Sequence, residues 1–281
     1  MKLAEVGQRA GLAMINGIAR SVPHKLETVA FGDDSRQRLD WYRVKGAISD
    51  PDVPRPTVLF YYGGNWRSGK RADYRFLADT LMKLGCDVVI PDYRLYPDYR
   101  FSEIMTDAEL ALATILPVIP RGAPFFLMGH SAGAQLGALL TLDETRRAFS
   151  VKDGVDRISG FIGLAGPYDF YPFTEDDHWD LFAPEDHYRQ SQPVNYVRAG
   201  APPLYLLHGE KDNRVRRGHS KSLMEKQLAA GGQAEREVYE GLGHVDIILQ
   251  FSRLHRRRSH VVRQVADFIA RQSRASCASV L

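Results

Sequence analysis

The chain has 281 residues, 44% of them hydrophobic, which is enough to bury one large core and points to a single domain over 1–281. Its 37 basic and 34 acidic residues leave a net charge of +3, a mixed surface without the one-sided field that would recruit nucleic acid or anionic lipid. Two cysteines, Cys86 and Cys277, give neither a disulfide framework nor a metal-ligand spacing, and they suit a reducing compartment, the cytoplasm.

The N-terminus is a poor secretion signal: its apolar stretch from Ala10 to Ala19 is interrupted by Asn16 and bounded by Arg9 and Arg20, with Glu5 in what would be the basic region. A helix is expected there. Leu26 to Phe31 and Leu39 to Val44 read as two strands joined by the turn residues Gly32-Asp33-Asp34-Ser35, an antiparallel edge. From Thr57 onward apolar runs alternate with helical stretches. Strand Thr57 to Tyr61 precedes a helix near Asp73 to Leu84, and strand Asp87 to Pro91 precedes a helix from Ser102 to Leu116. Next come strand Phe125 to Met128, a helix from Ala132 to Leu142, and strand Gly160 to Leu164. Strand Leu204 to Leu207, a helix from Gly218 to Ala230, strand Glu235 to Tyr239 and a last helix to about Gln272 complete the series. This alternation is the pattern of an α/β fold, a mostly parallel sheet flanked by helices on both faces. Residues 273–281 read as a loose tail.

The longest uncharged run, Gly122 to Leu142, has 21 residues, a length that would span a bilayer. His130, Ser131 and several glycines at its middle fit a buried strand and helix instead, so no membrane partner is expected. That run holds Gly129-His130-Ser131-Ala132-Gly133, a match to G-x-S-x-G. Alone the pattern is weak. Between a strand and a helix it describes a sharp turn that lifts the Ser131 hydroxyl clear of the backbone, and the two glycines are needed where strand and helix would otherwise clash.

A serine nucleophile needs an imidazole to take its proton and a carboxylate to orient that imidazole. In an open parallel sheet these belong in loops after late strands. Leu204 to Leu207 runs into a loop holding Asp212, and Glu235 to Tyr239 runs into a loop holding His244. The order Ser131, Asp212, His244 fits, with Glu210 and Asp246 as other carboxylates within reach. His208 reads as a structural hydrogen-bonding residue, and His178, His187, His219, His255 and His260 as solvated surface. His130 is expected to pack or bond to backbone beside the nucleophile, and with Trp66, Phe170 and Trp179 it is counted among the substrate-binding candidates. The remaining part, an oxyanion hole, is met by Tyr62-Gly63-Gly64-Asn65-Trp66 after an early strand: Gly64 and Ala132 as amide donors, Asn65 as a third. An imidazole base of this kind makes activity rise with pH through about 6 to 7.5.

These residues resemble the α/β-hydrolase superfamily, and within it the hormone-sensitive-lipase-like carboxylesterases and kynurenine-formamidase-like enzymes. The resemblance covers roughly Arg36 to Gln272 and includes Pro91-Asp92-Tyr93-Arg94-Leu95-Tyr96-Pro97 besides the elbow and the three loops. Tyr62 stands where these families usually carry a histidine that braces the oxyanion loop. The resemblance implies a serine carboxylesterase acting on small esters through an acyl-enzyme, without cofactor or metal. Between Asp169 and Pro193, aromatic and acidic residues alternate in what reads as a small cap, 170–193. Its rings, Phe170 and Trp179 among them, with Trp66 from the oxyanion loop, either line an acyl pocket or only pack the cap. So small a cap implies short acyl groups.

Arylformamidase is the nearest rival, because the same three residues cleave an N-formyl group; a non-catalytic small-molecule binder is a second. Dehalogenase and epoxide hydrolase chemistry would need Asp at the elbow, and no His-Glu-x-x-His supports a metalloenzyme. The basic run Arg253 to Arg258 falls on the presumed last helix as a solvated face, without a nucleic-acid recognition motif. An outer helix or the edge strand offers the surface through which a homodimer would form.

Overall fold

The computed structural model describes residues 15–16, 22–46, 54–148 and 157–278. The expected N-terminal helix lies outside them, apart from the helical pair Ile15 and Asn16. Eight strands, β1 (His24–Ala30), β2 (Arg38–Val44), β3 (Thr57–Tyr61), β4 (Asp87–Pro91), β5 (Phe125–His130), β6 (Ile158–Leu164), β7 (Leu204–Gly209) and β8 (Ala234–Tyr239), form one sheet. Its order is β1-β2-β4-β3-β5-β6-β7-β8. β2 runs antiparallel to both its neighbours, and every other pair is parallel.

The helices are α1 (Arg75–Lys83), α2 (Phe101–Ile115), α3 (Ala132–Leu142), α4 (Glu144–Ala148), α5 (Asp176–Leu181), α6 (Gly218–Ala229), α7 (Asp246–Leu249) and α8 (His260–Ala278). Every residue of β3, β5 and β7 is buried, as a strand covered on both faces requires. Each fully buried Phe60, Phe126 or Leu127 side chain contributes about 1.5–3 kcal/mol of transfer free energy. The edge strand β8, by contrast, alternates in burial along AEREVY. Tyr61 of β3 pairs with Gly129 of β5, and Gly129 with Gly163 of β6, so these strands end together and their following loops meet at the carboxyl edge. Helix α3 is buried on all sides because it lies at the centre of the molecule, and its Ala, Gly and Leu composition suits that place.

Two expectations are corrected. The presumed tail from residue 273 continues α8 to Ala278: Ser273 is buried, and Ser276 donates to Ser159 Oγ at 2.9 Å, so the last turns dock against β6. The basic run Arg253 to Arg258 precedes α8 in a series of turns rather than lying on it. Arg256 explains this, since its guanidinium reaches inward to the buried Asp79 carboxylate and to Thr80 Oγ1. Among the described residues no helix is long and apolar enough to cross a membrane.

Candidate active site

Ser131 sits between β5 and α3 at φ +54° and ψ −124°, a conformation that L residues avoid and that a tightly packed turn must impose. The packing is explicit at the flanking glycines. A Cβ on Gly129 would lie 2.3 Å from the Gly133 carbonyl oxygen, and one on Gly133 would lie 2.1 Å from that of Tyr61. Both contacts are with backbone, which cannot swing aside, so glycine is required at each place.

The structure brings together the three residues expected from the sequence. Ser131 Oγ–H donates to His244 Nε2 at 2.9 Å, and His244 Nδ1–H donates to Asp212 Oδ2 at 2.8 Å. Asp212 Oδ1 accepts from the amides of Arg214 and Val215, each at 2.9 Å. Burial would raise this carboxyl, but hydrogen bonds from His208, His244 and the Val215 amide outweigh it and hold Asp212 well below the usual carboxylate range. The other candidate carboxylates bond elsewhere: Glu210 accepts from the Gly241 amide and Asp246 from the Gly243 amide. His130 turns its Nε2–H to the His244 carbonyl at 3.0 Å and so braces the loop that carries His244. Burial, with His244 beside it, pushes the His130 imidazole down to about 3.

The Gly63-Gly64 loop lies against the elbow. A Cβ on Gly63 would sit 2.8 Å from Ser131 Cβ, and one on Gly64, at φ +142°, would sit 2.0 Å from the Ser68 carbonyl oxygen. The Gly64 carbonyl accepts from the amides of Arg67 and Ser68, which closes the turn. Among the described residues none accepts a hydrogen bond from the amides of Gly64, Asn65 or Ala132. Asn65 and Trp66 both have positive φ, so this is a turn held in an uncommon shape.

Tyr62 accounts for much of that hold. Its fully buried ring stacks between Tyr74 and Tyr93, with centroids 5.3 and 4.7 Å away, and its hydroxyl bridges Asp92 and Arg36. Arg36 Nη2 also donates to the Gly69 carbonyl at 2.8 Å, at the far end of the loop. The phenol thus joins the two ends of the loop to the Asp92 segment.

A cavity of about 650 Å³ opens over Ser131 and His244. One wall is aromatic: Trp66, Phe170, Tyr171 and His178, with Phe173 and Phe182 packed behind. The lining also includes Asn213, Arg214, Arg216 and His219, the last edge-to-face with Phe170 at 6.4 Å. Trp179, expected in the pocket, is corrected: it faces away, 39% exposed, against Tyr171, Phe173 and Tyr188. Its neighbour His178 points inward, because Leu181 and Phe182, three and four residues on, are the buried side of α5 and share its face. That spacing was readable and identifies His178 rather than Trp179. His178 and His219 are therefore not the solvated surface residues expected. Both are partly buried cavity residues, and His219 Nδ1–H donates to the Asp169 carbonyl at 2.5 Å.

A mostly parallel sheet, a positive-φ serine after its central strand, and an imidazole and carboxylate in the loops after β8 and β7 define the protein as an α/β-hydrolase. The chain belongs to the BD-FAE family, whose model matches residues 47–227. It is 30% identical over 248 residues to the isoprenylcysteine alpha-carbonyl methylesterase of Arabidopsis thaliana, covering 79% of this chain and 57% of that protein. It is 31% identical over 155 residues to the kynurenine formamidase of Danio rerio, covering 55% of this chain and 50% of that protein. The chain thus spans about half to three fifths of the length of these curated relatives. Its fold superposes with a TM-score of 0.71 on apo Thermogutta terrifontis esterase 2, at 21% identity, covering 88% of this chain and 94% of that chain.

Proposed function

We propose that this protein is a serine carboxylesterase that hydrolyses small, short-acyl carboxylic esters through an acyl-enzyme. The observation that carries the reading is the relay Asp212, His244, Ser131, continuous at 2.8 and 2.9 Å and open to the cavity. His244 Nδ1–H is directed at the carboxylate, which leaves Nε2 as the acceptor of the Ser131 proton. Ser131 Oγ attacks the ester carbonyl carbon as its proton moves to His244 Nε2. The carbonyl oxygen gains the negative charge, and the amides of Ala132 and Gly64, with Asn65 as a third donor, receive it. The bond from carbon to the alkoxy oxygen then breaks, and His244 returns the proton to the leaving alcohol. Water attacks the acyl-enzyme with His244 as base, the bond to Oγ breaks, and Ser131 regains its proton.

Asp212 remains ionised throughout and opposes the charge on the imidazolium. The aromatic wall supports a small acyl group, since Trp66 is 2% exposed and backed by further rings rather than by open space. The methylesterase relative supports an ester with a small alcohol.

The formamidase relative favours a second reading in which the same residues cleave an N-formyl amide. Hydrolysis of p-nitrophenyl esters from acetate to palmitate, beside N-formylkynurenine and with Ser131→Ala as control, separates the two. Rates that peak at acetate or butyrate and vanish in the variant are expected. Faster turnover of long chains contradicts the short-acyl reading, and cleavage of the formamide alone replaces it with the second.

A further inference from the structure

Oδ2 of Asp212 meets two imidazoles, not one. His244 Nδ1 lies 2.8 Å from it and His208 Nε2 lies 3.1 Å from it. His208 Nε2 is also 2.9 Å from the Val215 carbonyl oxygen. A carbonyl only accepts, so this nitrogen carries a hydrogen, and that hydrogen is shared between Val215 and Asp212. A carboxylate offers about four acceptor sites. Two amides occupy Oδ1 and two imidazoles occupy Oδ2, which leaves the Asp212 carboxylate filled by protein donors where its side chain has no exposure to water.

The two imidazoles are held differently. His244 comes from the loop after β8, whereas His208 is part of β7, fully buried and paired with Val238 of β8. A strand residue is fixed by its ladder and its packing, so His208 supplies a rigid reference for a carboxylate that itself sits in a loop.

We propose that His208 is a positioning residue for the reaction: its Nε2–H fixes the Asp212 carboxylate in the orientation that presents Oδ2 to His244. The proposal rests on the assignment of Ser131, His244 and Asp212 made above. Loss of this donor leaves one acceptor site on Oδ2 unfilled in a buried place and frees the carboxylate to turn from His244. Substrate touches none of this, so the effect falls on kcat rather than KM.

The test is a mutant cycle on p-nitrophenyl acetate hydrolysis, with melting temperatures recorded for each variant. His208→Leu is expected to lower kcat about 10- to 100-fold with KM changed less than about 2-fold. His208→Gln, whose amide N–H extends toward the same oxygen, should recover most of the loss. In an Asp212→Asn background the His208→Leu change should cost less than about 3-fold, because the group it acts through has already been altered. Equal losses in both backgrounds, or an unchanged kcat, overturn the proposal. Where the Leu variant fails to fold, His208→Asn, whose amide falls short of Oδ2, replaces it, and equal activity of the Asn and Gln variants overturns the proposal instead. Activity retained in Ser131→Ala would sink the underlying assignment, a result separable from all of these.

Discussion

Tyr62 donates its hydroxyl hydrogen to Asp92 Oδ1 at 2.8 Å, and through this bond the Gly63-Gly64 loop is tied to the segment after β4. The same carboxylate receives the Arg71 amide at 2.6 Å and the Arg71 guanidinium. A phenol therefore braces this loop here, with Arg36 completing the link to the Gly69 carbonyl. Tyr62→Phe is expected to destabilise the protein by about 1.5–3 kcal/mol, the range for a buried hydrogen bond to a charged group. It should also lower kcat, because Gly63 and Gly64 follow directly. Urea unfolding together with esterase kinetics reads both, and a variant as stable and active as the parent contradicts the bracing role.

Gly64→Ala meets two obstacles, the positive φ and the Ser68 carbonyl oxygen 2.0 Å from the new Cβ. The loop must shift, and in the proposed mechanism its amide then no longer meets the carbonyl oxygen that gains charge. A loss of about 10²- to 10³-fold in kcat is expected, comparable to removing one oxyanion donor, with KM little changed. A loss confined to KM would show that the loop binds substrate without stabilising the transition state.

The cavity wall predicts a contrast between neighbours. Phe170→Ala enlarges the pocket and should shift ester preference toward longer acyl chains, whereas Trp179→Ala should leave the profile unchanged, since that ring lies outside the cavity. Relative kcat/KM across the p-nitrophenyl series measures this, and a shift caused by Trp179→Ala would refute the placement.

Acid sensitivity follows from the histidines. Burial lowers His130 from its ordinary value of 6.5 to about 3, and lowers His178 and His219 in the same direction. Between 6.5 and about 3 the unfolded chain binds a proton at position 130 that the folded chain refuses. Stability is thus fully present above 6.5 and declines as pH falls through that window. Melting temperature should drop over this range, with a shallower slope in His130→Gln. An unchanged slope in the variant removes His130 as a cause.

What the sequence disclosed followed from local chemistry. The pattern located all eight strands to within two residues at each end: the buried parallel strands β3 to β7 are rich in Val, Ile, Leu and Phe, whereas β1, β2 and β8 mix polar with apolar residues between turns. Ser131, Asp212 and His244 were legible because each follows a strand and their order is constrained by the topology. Helix phase, which residue type alone does not carry, puts His178 rather than Trp179 on the face shared with the buried Leu181 and Phe182. The Arg256 to Asp79 pair joins positions far apart in the chain, so no local pattern could remove the basic run from the last helix. The role of Tyr62 likewise depends on Asp92 and Arg36, which only the folded sheet brings to it.

The central claim is that Ser131 forms the covalent intermediate, and the most direct measurement is peptide mass spectrometry after treatment with diethyl p-nitrophenyl phosphate. One diethylphosphoryl group on the peptide bearing Ser131, loss of esterase activity in step with labelling, and no label in Ser131→Ala are expected. Complete inactivation with the label on another residue, or full esterase activity in Ser131→Ala, would contradict it.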